Sequence, residues 1–156
     1  MLDTSLRTIF DDTHSTYRDT VRKVVAGLDI DRHEREGIVE REAWIEAGSA
    51  GLLCPGVPEA YGGPGLDFTF NAIVGEEISY AGAAAGFSLQ SDIVADYLIA
   101  YGSEEQKRKW LPGMVSGDVV SAIAMTEPGA GSDLQGMKTI ARKDGNGWRL
   151  SGGKTY

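Results

Sequence analysis

The chain of 156 residues is 42% hydrophobic and 24% charged, the balance of a folded protein with room for one ordinary domain or a small domain plus part of another. Its net charge of −8 excludes the basic footprint that non-specific nucleic-acid binding needs, while still permitting a local phosphate site. The single cysteine, Cys54, excludes an internal disulfide and a multi-cysteine metal site, and no apolar run approaches the roughly 20 residues of a membrane span.

Met1 to Ser5 have neither the apolar character of a signal peptide nor the Arg-rich character of a transit peptide, so the cytoplasm is the expected compartment. Ile9, Phe10, Thr13, Tyr17, Val21, Val24, Val25 and Leu28 recur at helical spacing and predict an amphipathic helix ending near Gly27. A charged stretch, Asp29 to Glu36, is expected to cross to a second helix carrying Val39, Ala43, Trp44, Ala47 and Leu52. Three prolines and four glycines between Cys54 and Gly65 then predict a loop.

A third helix is read through Phe70, Ile73, Val74, Glu77, Ile78 and Ala81, with Asp67 or Thr69 as its cap. A fourth runs from about Ala84 to Tyr101, stopped by Gly102. Ser103-Glu104-Glu105-Gln106 opens a short helix expected to end at Trp110-Leu111-Pro112. The character changes near residue 119: Val119 to Met125 reads as a strand, and Asp144-Gly145-Asn146-Gly147 reads as a hairpin turn between two more. The expected division is a helical domain over 1–118 and the beginning of a β-domain over 119–156, an α+β chain whose second domain is incomplete, because a hairpin plus one strand is marginal in water.

The chemistry concentrates in Ala124-Met125-Thr126-Glu127-Pro128-Gly129-Ala130-Gly131-Ser132-Asp133-Leu134-Gln135-Gly136. Glycines let backbone N–H groups approach an anionic or electron-rich ligand closely, although glycines also mark ordinary turns. The nicotinamide fingerprint is excluded, because Gly129 and Gly131 lead to Leu134 and no βαβ unit surrounds them. Single acids and histidines read as structural here. Glu127 and Asp133 are expected to brace the turn, His14 and His33 to be solvated, and Cys54 to be an apolar filler.

As a whole, this string resembles the signature of the acyl-CoA dehydrogenase family. Gly51-Leu52-Leu53 with Pro58-Glu59-Ala60-Tyr61-Gly62-Gly63, Glu76-Glu77-Ile78, Tyr101 to Lys107 with Trp110-Leu111-Pro112, and Gly147 to Tyr156 are similar to family segments in the same order. The resemblance implies an all-α N-terminal domain followed by the first strands of an antiparallel β-barrel, and FAD held between that barrel and a C-terminal helical domain. It implies that Ile123, Ala124, Met125 and Thr126 line the flavin, that Gly131 binds the cofactor, that Ser132 sits by the pyrophosphate or the thioester, and that Tyr156 packs on the flavin. Ile123 departs from the aromatic residue that many members carry there. Gln90, Ser91 and Val94 match the helix lining the acyl pocket, or else form a buried helix face with two polar residues.

The implied reaction is α,β-dehydrogenation of an acyl-CoA thioester with hydride transfer to FAD. An electron-transfer flavoprotein is the implied acceptor, and the full-length protein is an implied homo-oligomer. The catalytic base is expected in a C-terminal domain outside these residues, so the chain alone is expected to be inactive. Two other functions share the pattern: a non-catalytic module that binds acyl-CoA or a partner, and part of a flavin monooxygenase or nitroalkane oxidase of the same fold.

Overall fold

The computed structural model describes residues 8–83 and 85–155. The expectations placed on Tyr156 and on Ala84 as a helix start lie outside the described residues. The chain divides into two compact units, Met1–Ser121 and Ala122–Tyr156.

In the first unit, α1 (Asp12–Ala26) begins where the Asp11 carboxylate accepts from the amides of Thr13 and His14, satisfying donors that the first helical turn leaves open. It buries Val21, Val24 and Val25 against α4 (Phe68–Tyr80), whose first turn is capped by Asp67. That contact also encloses charge. Arg18 reaches Glu77 at 2.6 Å and Glu76 at 2.9 Å, and Arg22 reaches the other oxygen of Glu77 at 2.9 Å. Arg18 and Glu77 are both buried, so each makes the other tolerable away from water.

The charged stretch after α1 is a correction to the sequence reading: Ile30–Glu36 is itself a helix, α2. Asp29 caps its start and Gly37 closes it in the left-handed region, φ 66°. His33 on α2 is buried rather than solvated, and its Nε2 lies 2.6 Å from the Glu40 carboxylate. His14 is likewise enclosed, its ring nitrogens 2.7 Å from Asp11 Oδ1 and 2.7 Å from Thr69 Oγ1. The next helix, α3 (Arg41–Ser49), stops before Leu52, which belongs to the following loop.

That loop is interior. Leu52, Leu53, Cys54 and Val57 are all buried, and the segment contains one 3₁₀ turn, Glu59–Tyr61. Leu52 and Leu53 join the apolar cluster of α1, α3 and α4, in which Trp44 and Phe87 meet edge-on at 4.8 Å. Cys54 and Val57 join a second cluster with Ala95, Leu111 and Met114. Cys54 is the filler the sequence suggests: burial pushes its thiol up to about 11.

A π-helical turn, Leu89–Val94, leads straight into α5 (Ala95–Tyr101), which Gly102 ends with extended backbone. Ser103 and Gln106 then form a capping box for α6 (Glu104–Ser116). This helix does not stop at Pro112 but continues for another turn. Pro112 removes one helical hydrogen bond, yet Leu111 and Met114 on either side are anchored in the second cluster, and burial outweighs the local loss. Gly117 closes α6 at φ 81°, and a side chain there would run into the Trp44 carbonyl of α3.

The expected strand over Val119 to Met125, a stretch that runs from the end of the first unit into the second, is corrected. The chain there belongs to no ladder among the described residues. The hairpin is present: β1 (Ile140–Asp144) pairs antiparallel with β2 (Gly147–Ser151), Asp144 opposite Gly147. Gly145 has φ 58° while Asn146 is not in positive φ, the sign pattern of a two-residue II′ turn. Trp148 and Leu150, two residues apart on one face of β2, are 71% and 73% exposed.

Candidate flavin-binding turn

The turn begins at Glu127. Its amide and carbonyl exchange hydrogen bonds of 2.9 and 3.1 Å with Ala130, closing a four-residue turn with Pro128 and Gly129 at the corner. Proline is preset for the first corner position, and a negative φ at Gly129 makes this a type I turn, which accepts most residues. Glycine at 129 is therefore not demanded by the backbone. Nor is it at 131, which also avoids positive φ. A Cβ at either position would meet no atom within 4 Å. At both glycines the space beside the backbone is open.

The amides along that surface are available. Gly131, Ser132 and Asp133 donate no hydrogen bond among the described residues, and all three are exposed. Free N–H groups of this kind are the donors that an anion takes. Beyond them Asp133 caps the 3₁₀ turn Leu134–Gly136 by accepting from the Gly136 amide at 3.2 Å, a bracing role that matches its expectation.

Glu127 is the second brace. One of its oxygens accepts from the Lys138 amide at 2.7 Å; the other accepts from the Thr139 amide at 2.9 Å and Lys154 Nζ at 3.1 Å. The Thr139 side chain and these two amides hold its carboxyl well below the usual range, down to about 2. Such a carboxylate is a poor proton acceptor. Lys154 also donates to the Met125 carbonyl at 2.9 Å, and the Thr155 amide donates to the Thr126 carbonyl at 2.9 Å. Ile123, Ala124, Met125 and Thr126 thus approach the turn outside any helix or strand, moored at the last two carbonyls.

The three residues matched to an acyl pocket lie in the first unit, on the π turn. Gln90 is fully buried: its Nε2 donates to the Met114 carbonyl at 2.9 Å, and its Oε1 accepts from the Ser121 amide at 2.8 Å. It braces the turn against the end of α6. Ser91 Oγ accepts from the Cys54 amide at 2.9 Å, supporting left-handed backbone at φ 53° on a residue that has a side chain. Val94 is half-buried beside the second cluster.

One polar pair here has no signature in the local sequence. Asn71 Nδ2 of α4 donates to Asp92 Oδ1 at 2.6 Å, and burial raises the Asp92 carboxyl. Asp92 borders an open concavity of about 250 Å³ with Ile93, Asp96, Tyr97 and Tyr101. The recurrence of Leu89, Ile93, Tyr97 and Tyr101 every four residues was the available signal. A larger cleft of about 550 Å³ runs along α1, lined by Thr13, Thr16, Tyr17, Thr20, Leu66 and Phe70 among others. Among the described residues no group of three or more His, Cys, Asp or Glu could hold a metal, and no helix is long and apolar enough to cross a membrane.

Residues 11–118 match the model of the acyl-CoA dehydrogenase N-terminal domain. Over its whole length the chain is 47% identical to the mitochondrial long-chain specific acyl-CoA dehydrogenase of Sus scrofa, of which it covers 37%. It is similar to the acyl-CoA dehydrogenase of Geobacillus kaustophilus, with a TM-score of 0.87 and 41% identity over 96% of this chain and 40% of that one. It is also similar to a glutaryl-CoA dehydrogenase of Mycobacterium smegmatis in complex with FADH2, with a TM-score of 0.82 and 29% identity over 95% of this chain and 39% of that one. The chain thus spans less than half the length of these relatives.

Proposed function

The chain belongs to the acyl-CoA dehydrogenase family, and from that premise we propose that it supplies the flavin-facing turn and one wall of the acyl site to an FAD-dependent dehydrogenation of acyl-CoA thioesters. The observation that carries this reading is the run of free amides at Gly131, Ser132 and Asp133 beside two glycines that neither backbone nor packing requires. A diphosphate is a fitting occupant for such donors.

In this reading the helical domain is 1–118 and the β-domain begins at 119. Ile123 to Thr126 lie along the isoalloxazine, and Gly131 and Ser132 face the pyrophosphate, Ser132 alternatively the thioester. Tyr156 packs on the ring system. FAD, when bound, supplies the hydride acceptor. The chain's own contribution is orientation and electrostatics: main-chain donors fixed in advance stabilise negative charge without reorganising. Ser91 and Val94 contribute wall to the acyl site, and Gln90 holds that wall in place from behind.

The base that takes the α-proton is assigned to the part of the full-length relatives that this chain does not span, so no residue of this stretch is assigned the proton abstraction. Glu127 is unsuited to it on its own geometry, because both its oxygens are engaged by amides. An electron-transfer flavoprotein as acceptor, a homo-oligomeric full-length protein and a cytoplasmic location complete the proposal.

The test is titration of the ¹⁵N-labelled chain with FAD. Saturable shifts at the Gly131, Ser132 and Asp133 amides are expected. Shifts confined to other residues, or none at millimolar FAD, would sink the assignment.

A further inference from the structure

We propose that Glu127 and Lys154 are a positioning pair for the flavin-facing turn, fixing through the backbone where the segment 123–126 and the amides of 131–133 point. This rests on the flavin reading above and adds to it two residues that act without touching the cofactor. Glu127 is nearly buried at 8% exposure and receives three donors from two separate segments, the amides of Lys138 and Thr139 and the ammonium of Lys154. The same ammonium grips the Met125 carbonyl, immediately before Thr126. Thr155, next to Lys154, grips the Thr126 carbonyl. One ion pair therefore ties the approach to the turn, the exit from it and the segment after β2 into a single unit.

The residue types are the ones this job requires. A carboxylate can accept at both oxygens, whereas an amide at 127 would turn an N–H toward a backbone N–H and lose one of the two amide bonds. A lysine can reach a carbonyl and a carboxylate together because its ammonium has three donors. With its charge neutralised by Glu127, Lys154 adds little field of its own and acts through geometry. The opposite arrangement, a free Lys154 contacting the diphosphate, would leave the Met125 carbonyl and Glu127 without their shared donor.

The experiment compares the intact chain with Glu127→Gln, Lys154→Met and Lys154→Arg by FAD titration, amide hydrogen exchange and the cross-strand contacts of the hairpin. Each of the first two variants is expected to weaken FAD binding about tenfold, the loss of one charged hydrogen bond. Both are expected to speed exchange at Lys138 and Thr139 while leaving the Ala141–Leu150 pairing intact. Lys154→Arg is expected to restore binding to within about threefold, because guanidinium keeps the charge and the donors. Wild-type affinity in a variant whose Lys138 and Thr139 amides have become labile would overturn the pair's role while leaving the flavin reading standing. Loss of the hairpin in both weakened variants would overturn it too, as a general fold defect. A wild-type chain that binds no FAD removes the flavin reading and this inference together.

Discussion

The two units differ in the polar groups they leave open. In the helical unit, interior polar side chains find partners within the fold: Arg18 with Glu76 and Glu77, Gln90 with the Met114 carbonyl and the Ser121 amide, Asn71 with Asp92, His33 with Glu40. In the second unit the donors at 131–133 are left unengaged, and the large side chains of the hairpin stand in solvent. A group satisfied inside the fold is a structural element, and one left open on a braced surface is available for recognition. The place to look for function in this chain is at the donors the fold leaves open.

The sharpest way to break this contrast is at Glu77. Glu77→Ala leaves Arg18 buried without its closest partner and is expected to destabilise the helical unit by about 3–5 kcal/mol, read from urea unfolding followed by circular dichroism. A cost under about 1 kcal/mol would mean that the network is hydrated rather than interior. Next is Leu52→Ala, expected to cost about 2–5 kcal/mol in the same assay although the residue lies in a loop. Ser103→Ala, which removes the cap of α6, should cost about 1 kcal/mol.

Acid tests the second unit. The Glu127 carboxyl is depressed from 4.5 to about 2 in the fold, so its contribution is complete above the unfolded value and is lost as pH falls from there through about 2. Protection of the Lys138 and Thr139 amides should accordingly survive at pH 4 and collapse near pH 2. Collapse already at pH 5 would contradict the clamp. The smallest effect is expected at Gly131→Ala: stability within about 0.5 kcal/mol of wild type, since the added methyl meets nothing, but loss of the FAD-induced shifts.

Much of this fold was legible from spacing. α1 and α4 announce themselves through three- and four-residue recurrence, and the caps at Asp67 and Ser103 fall where sequence rules put them. α2 was not legible, because seven largely charged residues carry no apolar stripe; its ends are set by Asp29 and Gly37 and its burial by His33 alone. Pro112 misled for a related reason, a local stop signal overridden by anchors at Leu111 and Met114. The apolar run after Gly117 was β-like by propensity, but a strand also needs a ladder partner, and propensity does not supply one. At the site, proline and glycines revealed the turn. They did not reveal its clamp, because Glu127 and Lys154 are 27 residues apart and meet only in the fold.

The stretch from Leu52 to Val57 has a further consequence. Its first two residues sit in one apolar cluster and Cys54 and Val57 in the other, so neither group of helices owns a private interior. Melting either group would strip the cover from the other, and the helical unit should break as one piece. Amides inside this irregular segment, bonded to Ala47 and Ser91, should be among the last to exchange with solvent, slower than many in the helices around them.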